Sequence, residues 1–175
     1  LRVFNSNVAE ISGNKKDVIL ENYLINIHKK YSPILNEILN KLCPLKAHLA
    51  DYTDYQLVVT GKDHTYPIHF DASYKLLSVV IYIMPEKNIG TFMYPCPRYQ
   101  IDKSIYNPNE NTLIEWKQNR AFIFSRIHEK TWHSYQSDGE NNRLAFIMNV
   151  GTKRIKEVAE IENSNEFKKT INWKS

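Results

Sequence analysis

Apolar residues between Lys16 and Leu42 recur every three or four positions: Leu20, Leu24, Ile27, Tyr31, Leu35, Ile38 and Leu42. That spacing is the stripe of an amphipathic helix. Ser32 and Pro33 interrupt it, serine as a good N-cap and proline as a residue tolerated at the first helical position. The pattern therefore predicts one helix ending near Lys30 and a second from Pro33 to about Leu42. From Tyr55 to Gly151 the texture changes to short runs of Val, Ile, Tyr and Phe punctuated by Gly, Pro, Asn and Asp. These runs predict strands over 56–60, 66–70, 76–84, 91–94, 120–125, 131–136 and 143–150. No helical spacer long enough for a parallel crossover separates them, so the expected arrangement is an antiparallel, jelly-roll one. Beyond Gly151, Val158 and Ile161 with flanking charges predict a short helix.

Length then fixes the domain count. With 175 residues the chain is expected to be one domain: helical support over 16–42, a β core over 55–151 and a C-terminal extension over 152–175. The longest apolar run, Val79 to Met84, is strand-sized, so no membrane association is expected. Leu1 to Glu10 shows neither a basic nor an apolar leader region. Cys43 and Cys96 each precede a proline and form no CxxC pair, which points to reduced thiols in a cytoplasmic setting. The formal charge of +4 is spread along the chain, which argues against a nucleic-acid partner.

The chemistry-bearing residues concentrate in the strand-rich part. His69 and Asp71 stand two apart in Tyr66-Pro67-Ile68-His69-Phe70-Asp71, and residues i and i+2 of a strand share a face. Such a pair alone is common by chance. A third donor, His133, lies in the strand-like run Thr131 to Gln136, and two imidazoles with one carboxylate occupy one face of an octahedron while leaving positions open. Arg143 follows His133 by ten residues and opens a further apolar strand. A guanidinium turned into such surroundings calls for a carboxylate partner, which its planar fork grips through two bonds. His28, His48, His64 and His128 have no partner at ligand spacing, and His28 is expected at a surface or boundary of the first helix. The aromatic residues Tyr66, Phe92, Tyr94, Tyr99 and Trp116 are more readily core than substrate contacts, and Asn149 shares the strand parity of Arg143. The long connection from Pro95 to Glu115 exceeds ordinary loop length and is the candidate substrate-recognition element.

Taken together, HxD, then His, then Arg ten residues later resembles the signature of the 2-oxoglutarate and Fe(II)-dependent dioxygenases, over roughly Tyr55 to Val150. The run Lys75 to Tyr82, the Gly90-Thr91 pair and the run Asn119 to Phe124 extend the likeness, which is greatest to the prolyl-4-hydroxylase-like branch. The resemblance implies a mainly β fold: a double-stranded β-helix, or cupin-like jelly-roll, core with N-terminal helices packed on one sheet. It implies Fe(II) on His69, Asp71 and His133, and 2-oxoglutarate on Arg143 and Tyr82. It further implies O2 as oxidant, ascorbate as a reductant, and hydroxylation of a small-molecule or peptidyl substrate. Two other readings are carried alongside: a nucleic-acid demethylase of the same fold, and a catalytically silent metal-binding jelly-roll module.

Overall fold

A computed structural model of the chain describes residues 2–4, 9–10, 18–94 and 111–170. The protein is mainly β. Strands β1 (Arg2–Phe4), β2 (Ala9–Glu10), β3 (Tyr52–Thr60), β4 (Thr65–His69) and β5 (Lys75–Met84) are followed by β6 (Thr91–Tyr94), β7 (Thr112–Ile114), β8 (Ala121–Ser125), β9 (Trp132–Gln136) and β10 (Arg143–Gly151). Helices α1 (Val18–Leu42) and α2 (Pro44–Ala47) precede β3, and α3 (Ile155–Asn163) and α4 (Asn165–Thr170) follow β10. The strands form two antiparallel sheets of the sandwich or jelly-roll class, one ordered β2-β1-β3-β10-β5-β8 and the other β4-β9-β6-β7. No helix among the described residues is long and apolar enough to cross a membrane. The chain divides into two compact units, one of Leu1–Tyr55, Ala72–Ser78 and Met148–Ser175 and the other of Gln56–Asp71 and Val79–Ile147.

In the first unit the two helices expected before and after Pro33 are one continuous helix, α1, with Pro33 inside it. Proline removes the bond to the carbonyl four residues back, here that of Lys29, at a cost of about 3 kcal/mol. Both Lys29 and Pro33 are solvent-exposed, which leaves the freed carbonyl on the water-facing side of the helix. Leu24 and His28 before the proline, and Leu35 and Leu39 after it, are buried on one stripe. Burying three such leucines is worth roughly 1.5–3 kcal/mol each, which outweighs the lost bond. The buried stripe keeps Leu24 and Leu35 of the expected one but elsewhere runs one residue on, with His28 and Leu39 buried, Ile27 and Ile38 half-buried, and Tyr31 and Leu42 exposed. His28 is not at the surface. It is 2% exposed, its Nδ1 lies 3.0 Å from the Tyr55 hydroxyl, joining α1 to β3, and burial lowers its pKa below the ordinary value.

The same unit anchors its C-terminal helices through polar contacts. Lys46, completely buried, meets Glu162 of α3 at 2.6 Å and lies over the ring of Phe167 in α4. Asp51 accepts from the Thr152 hydroxyl and the Lys153 amide at 2.9 and 2.7 Å, fixing the chain where it leaves β10.

In the second unit, Gly90 sits where β6 begins. A Cβ there would stand 1.7 Å from the carbonyl oxygen of Ile114 in β7, so only glycine lets the two backbones approach. Gly90→Ala must push β7 away. The expected loss is about 3 kcal/mol, the upper end for overpacking, or a Tm roughly 6–12 °C lower for a chain of this size. A thermal melt within a degree of the parent would show that the strand yields at no cost.

Candidate metal centre

β4 and β9 are antiparallel neighbours, with Tyr66 opposite Tyr135 and His69 opposite His133. The register shifts between those two pairs, so an irregularity of the bulge kind lies in β4. Unshifted, the ladder would place Ile68 rather than His69 opposite His133. The shift re-aims the imidazole at its partner, as bulges beside functional sites do. The two rings then stand with centroids 4.1 Å apart.

Each histidine is oriented by its own chain. His69 Nδ1 lies 2.9 Å from the Pro67 carbonyl and His133 Nδ1 lies 3.0 Å from the Thr131 carbonyl, both two residues back. A carbonyl can only accept, so each Nδ1 carries the proton and each Nε2 presents a lone pair. Asp71 completes the set. It follows β4 by two residues, is 6% exposed, and its carboxylate lies with the two imidazoles so that the three ligand atoms are all within 4.8 Å of one another. Two neutral nitrogens and one anionic oxygen in that span suit a divalent transition metal with coordination positions left open. Among the described residues this is the one group of three or more His, Cys, Asp or Glu side chains so arranged.

The strand parity expected to unite His69 and Asp71 is only part of the cause. β4 ends at His69, so Asp71 lies past the ladder. Tyr66, expected chiefly as core, is half exposed with its ring centroid 4.4 Å from that of His69, at the rim of the centre. His128 stands in the turn before β9, largely exposed and 3.7 Å from Glu129, away from the ligand set.

Arg143 opens β10, is 9% exposed and is surrounded by aromatic faces. Its guanidinium carbon is 4.0 Å from the ring centroid of Tyr135, 5.7 Å from Trp116 and 6.0 Å from Tyr82. Burial lowers its pKa, opposed by the neighbouring Tyr135 and Tyr82, yet arginine stays charged in any protein setting. The aromatic faces partly replace water around the cation. Tyr135 and His133 are two apart on β9, so they share a face about 7 Å from each other. The guanidinium therefore lies over the residue next to His133, a candidate ligand, on that face of β9. Sequence reasoning passed over Tyr135, although its i+2 spacing from His133 was the signal for it.

Tyr82 is fully buried beneath Trp116, with ring centroids 4.4 Å apart and nearly parallel. Its hydroxyl donates to Thr91 Oγ1 at 2.8 Å, and burial raises its pKa. Tyr135 donates to Asn88 Oδ1 at 3.2 Å. Asn149 is buried with an Oδ1 that has no partner, and it belongs to the other compact unit. Trp116 is part of the Arg143 nest, and Tyr94 is buried against Ser134. Tyr99 and the stretch 95–110 of the candidate recognition loop lie outside the described residues. An open cavity of about 210 Å³ lies over β4, β6 and β9. It draws on Phe92, Tyr94, Ser134 and Gln136, the alternate positions to His133, and so belongs mainly to the opposite side of that sheet.

No family model matches the chain, and no curated protein matches it. Solved structures do. A prolyl-4-hydroxylase of Pseudomonas putida superposes with a TM-score of 0.50 at 13% identity, covering 82% of this chain and 70% of that one. EvdO2 of Micromonospora carbonacea var. aurantiaca gives a TM-score of 0.50 at 11% identity, covering 75% of this chain and 64% of that one. At such identities the likeness is one of fold, and it places the chain among mainly β proteins built like that hydroxylase.

Proposed function

We propose that this chain is a 2-oxoglutarate-dependent Fe(II) oxygenase that hydroxylates a small-molecule or peptidyl substrate. The observation that carries the reading is the His69, Asp71 and His133 donor set together with a buried arginine whose guanidinium lies over Tyr135, two residues from His133 on β9. A metal centre alone fits many chemistries. A buried guanidinium over Tyr135 adds a demand for an anion, and a short dicarboxylate such as 2-oxoglutarate can span from metal to arginine. The fold shared with a prolyl-4-hydroxylase supports the same reading, as does the donor set, whose hard carboxylate and two imidazoles suit Fe(II).

In this reading His69, Asp71 and His133 hold the iron, and Arg143 grips the distal carboxylate of the co-substrate. Tyr82 acts there by holding the Thr91 hydroxyl, whose own proton is then available to an oxygen of the ligand. Bound Fe(II) supplies the activation of O2, coupled to oxidative decarboxylation of 2-oxoglutarate, with ascorbate as a supporting reductant. The chain's own residues orient the co-substrate and keep water from it. A single domain with a double-stranded β-helix core over 55–151, in a reducing cytoplasmic setting, belongs to the same proposal.

The test is succinate release from 2-oxoglutarate by purified protein with Fe(II) and ascorbate, which such enzymes support even without their primary substrate. Saturating 2-oxoglutarate at about 100 times its Kd should add about 2.7 kcal/mol to the metal-loaded protein, raising Tm by roughly 5–11 °C. Absence of both succinate and the thermal shift would overturn the oxygenase reading in favour of a silent metal-binding module.

A further inference from the structure

Asp71 lies beyond the last paired residue of β4, so strand pairing does not fix where its carboxylate stands. Its main-chain oxygen is held from elsewhere. Arg126, 2% exposed in the turn after β8, donates from Nε to that oxygen at 3.2 Å. The same guanidinium lies over the ring of Phe70, at 5.9 Å, and places Nη2 3.2 Å from His128 Nδ1. Phe70, between His69 and Asp71, is in turn boxed edge-on by His128 and Trp132 at 5.1 and 4.7 Å.

The turn that supplies Arg126 is itself tied shut. The Thr131 hydroxyl accepts from the Ile127 amide and donates to the Ile127 carbonyl, and the amides of Lys130 and Thr131 bond the same carbonyl. Glu129 adopts a positive φ of 53° to close it. Its last residue, Thr131, offers the carbonyl that orients His133. One six-residue turn therefore touches two of the three ligands: Asp71 through the Arg126 side chain and His133 through the Thr131 main chain.

We propose that Arg126 is a positioning residue of the metal centre, setting the Asp71 carboxylate relative to His133 through its bond to the Asp71 main chain and its packing on Phe70. The inference rests on the metal-centre reading above. A planar fork is what the geometry demands: one group bonds a carbonyl and an imidazole while stacking on a ring, which a single ammonium cannot do. Groups that orient ligands in this way typically change metal affinity about 10- to 100-fold when removed.

The experiment titrates Co(II) into metal-free wild-type, Arg126→Lys, Arg126→Ala and His128→Ala protein, read by calorimetry and by the visible d–d absorption band. Arg126→Lys and Arg126→Ala should bind Co(II) about 10- to 100-fold more weakly, with a shifted band that reports altered ligand geometry. Guanidinium at a few millimolar should restore part of the affinity and the band of Arg126→Ala. His128→Ala keeps the bond to Asp71 and should stay within about threefold of wild type. Should Arg126→Ala not fold, Arg126→Lys decides alone. Folded Arg126 variants with the wild-type band, at whatever affinity, overturn the positioning role and leave the metal centre standing. A wild-type protein that binds no Co(II) removes the centre and this inference together.

Discussion

Asp71→Ala is expected to weaken divalent-metal binding by roughly 100- to 1,000-fold. The magnitude follows from structural zinc sites, where about 10–16 kcal/mol is shared among four ligands, or about 2.5–4 kcal/mol each. Asp71 is the only anionic member of the set, so its share falls at the upper end. His69→Ala should lose metal similarly. Anaerobic calorimetry with Fe(II), alongside thermal melts of the metal-free proteins, checks both. A metal affinity equal to the parent's in either variant would refute the assignment of these residues as ligands.

The candidate ligand residues were legible in the sequence because their chemistry is rare in apolar strands. A histidine and an aspartate two apart, a second histidine and a later arginine each stand out against Val, Ile and Phe, and the strand pattern around them is a local property. What the sequence did not disclose is how they meet. Pro67 lies inside the interval where the register shifts, and a proline in a strand marks an edge or a bulge, but it does not say which residue then faces His133. Arg126 read as one more scattered cation, and its bond to the Asp71 carbonyl depends on tertiary structure alone.

The errors along α1 have the same origin. Ser32-Pro33 is a sound local signal for a helix start, overridden because Lys29 and Pro33 face water while buried residues lie on both sides of the break. His28 followed the same rule in reverse. Nothing local announces that Tyr55, twenty-seven residues on, supplies a hydroxyl that makes burial of the ring tolerable. Strand β7 and the β1–β2 pair went unpredicted because three-residue and two-residue strands carry no periodicity to detect.

Arg143→Ala is expected to separate co-substrate binding from metal binding. Removing one partner of a buried, hydrogen-bonded charge pair costs about 2–5 kcal/mol, so the Kd for 2-oxoglutarate should rise at least roughly 30-fold. Metal affinity should change little, because Arg143 touches Tyr135, Tyr82 and Trp116 rather than any ligand atom. Arg143→Lys should recover only part of the loss: an ammonium keeps the charge, but it does not form two parallel bonds to a carboxylate or cover the Tyr135 ring with a planar group. The order of affinities expected is therefore wild type, then lysine, then alanine, with Fe(II) binding near constant across the three. Titration of 2-oxoglutarate into the Fe(II)-loaded proteins under argon measures it. Co-substrate binding by Arg143→Ala as tight as wild type would move the anchor to another residue, and parallel loss of iron would make Arg143 a support of the metal centre instead.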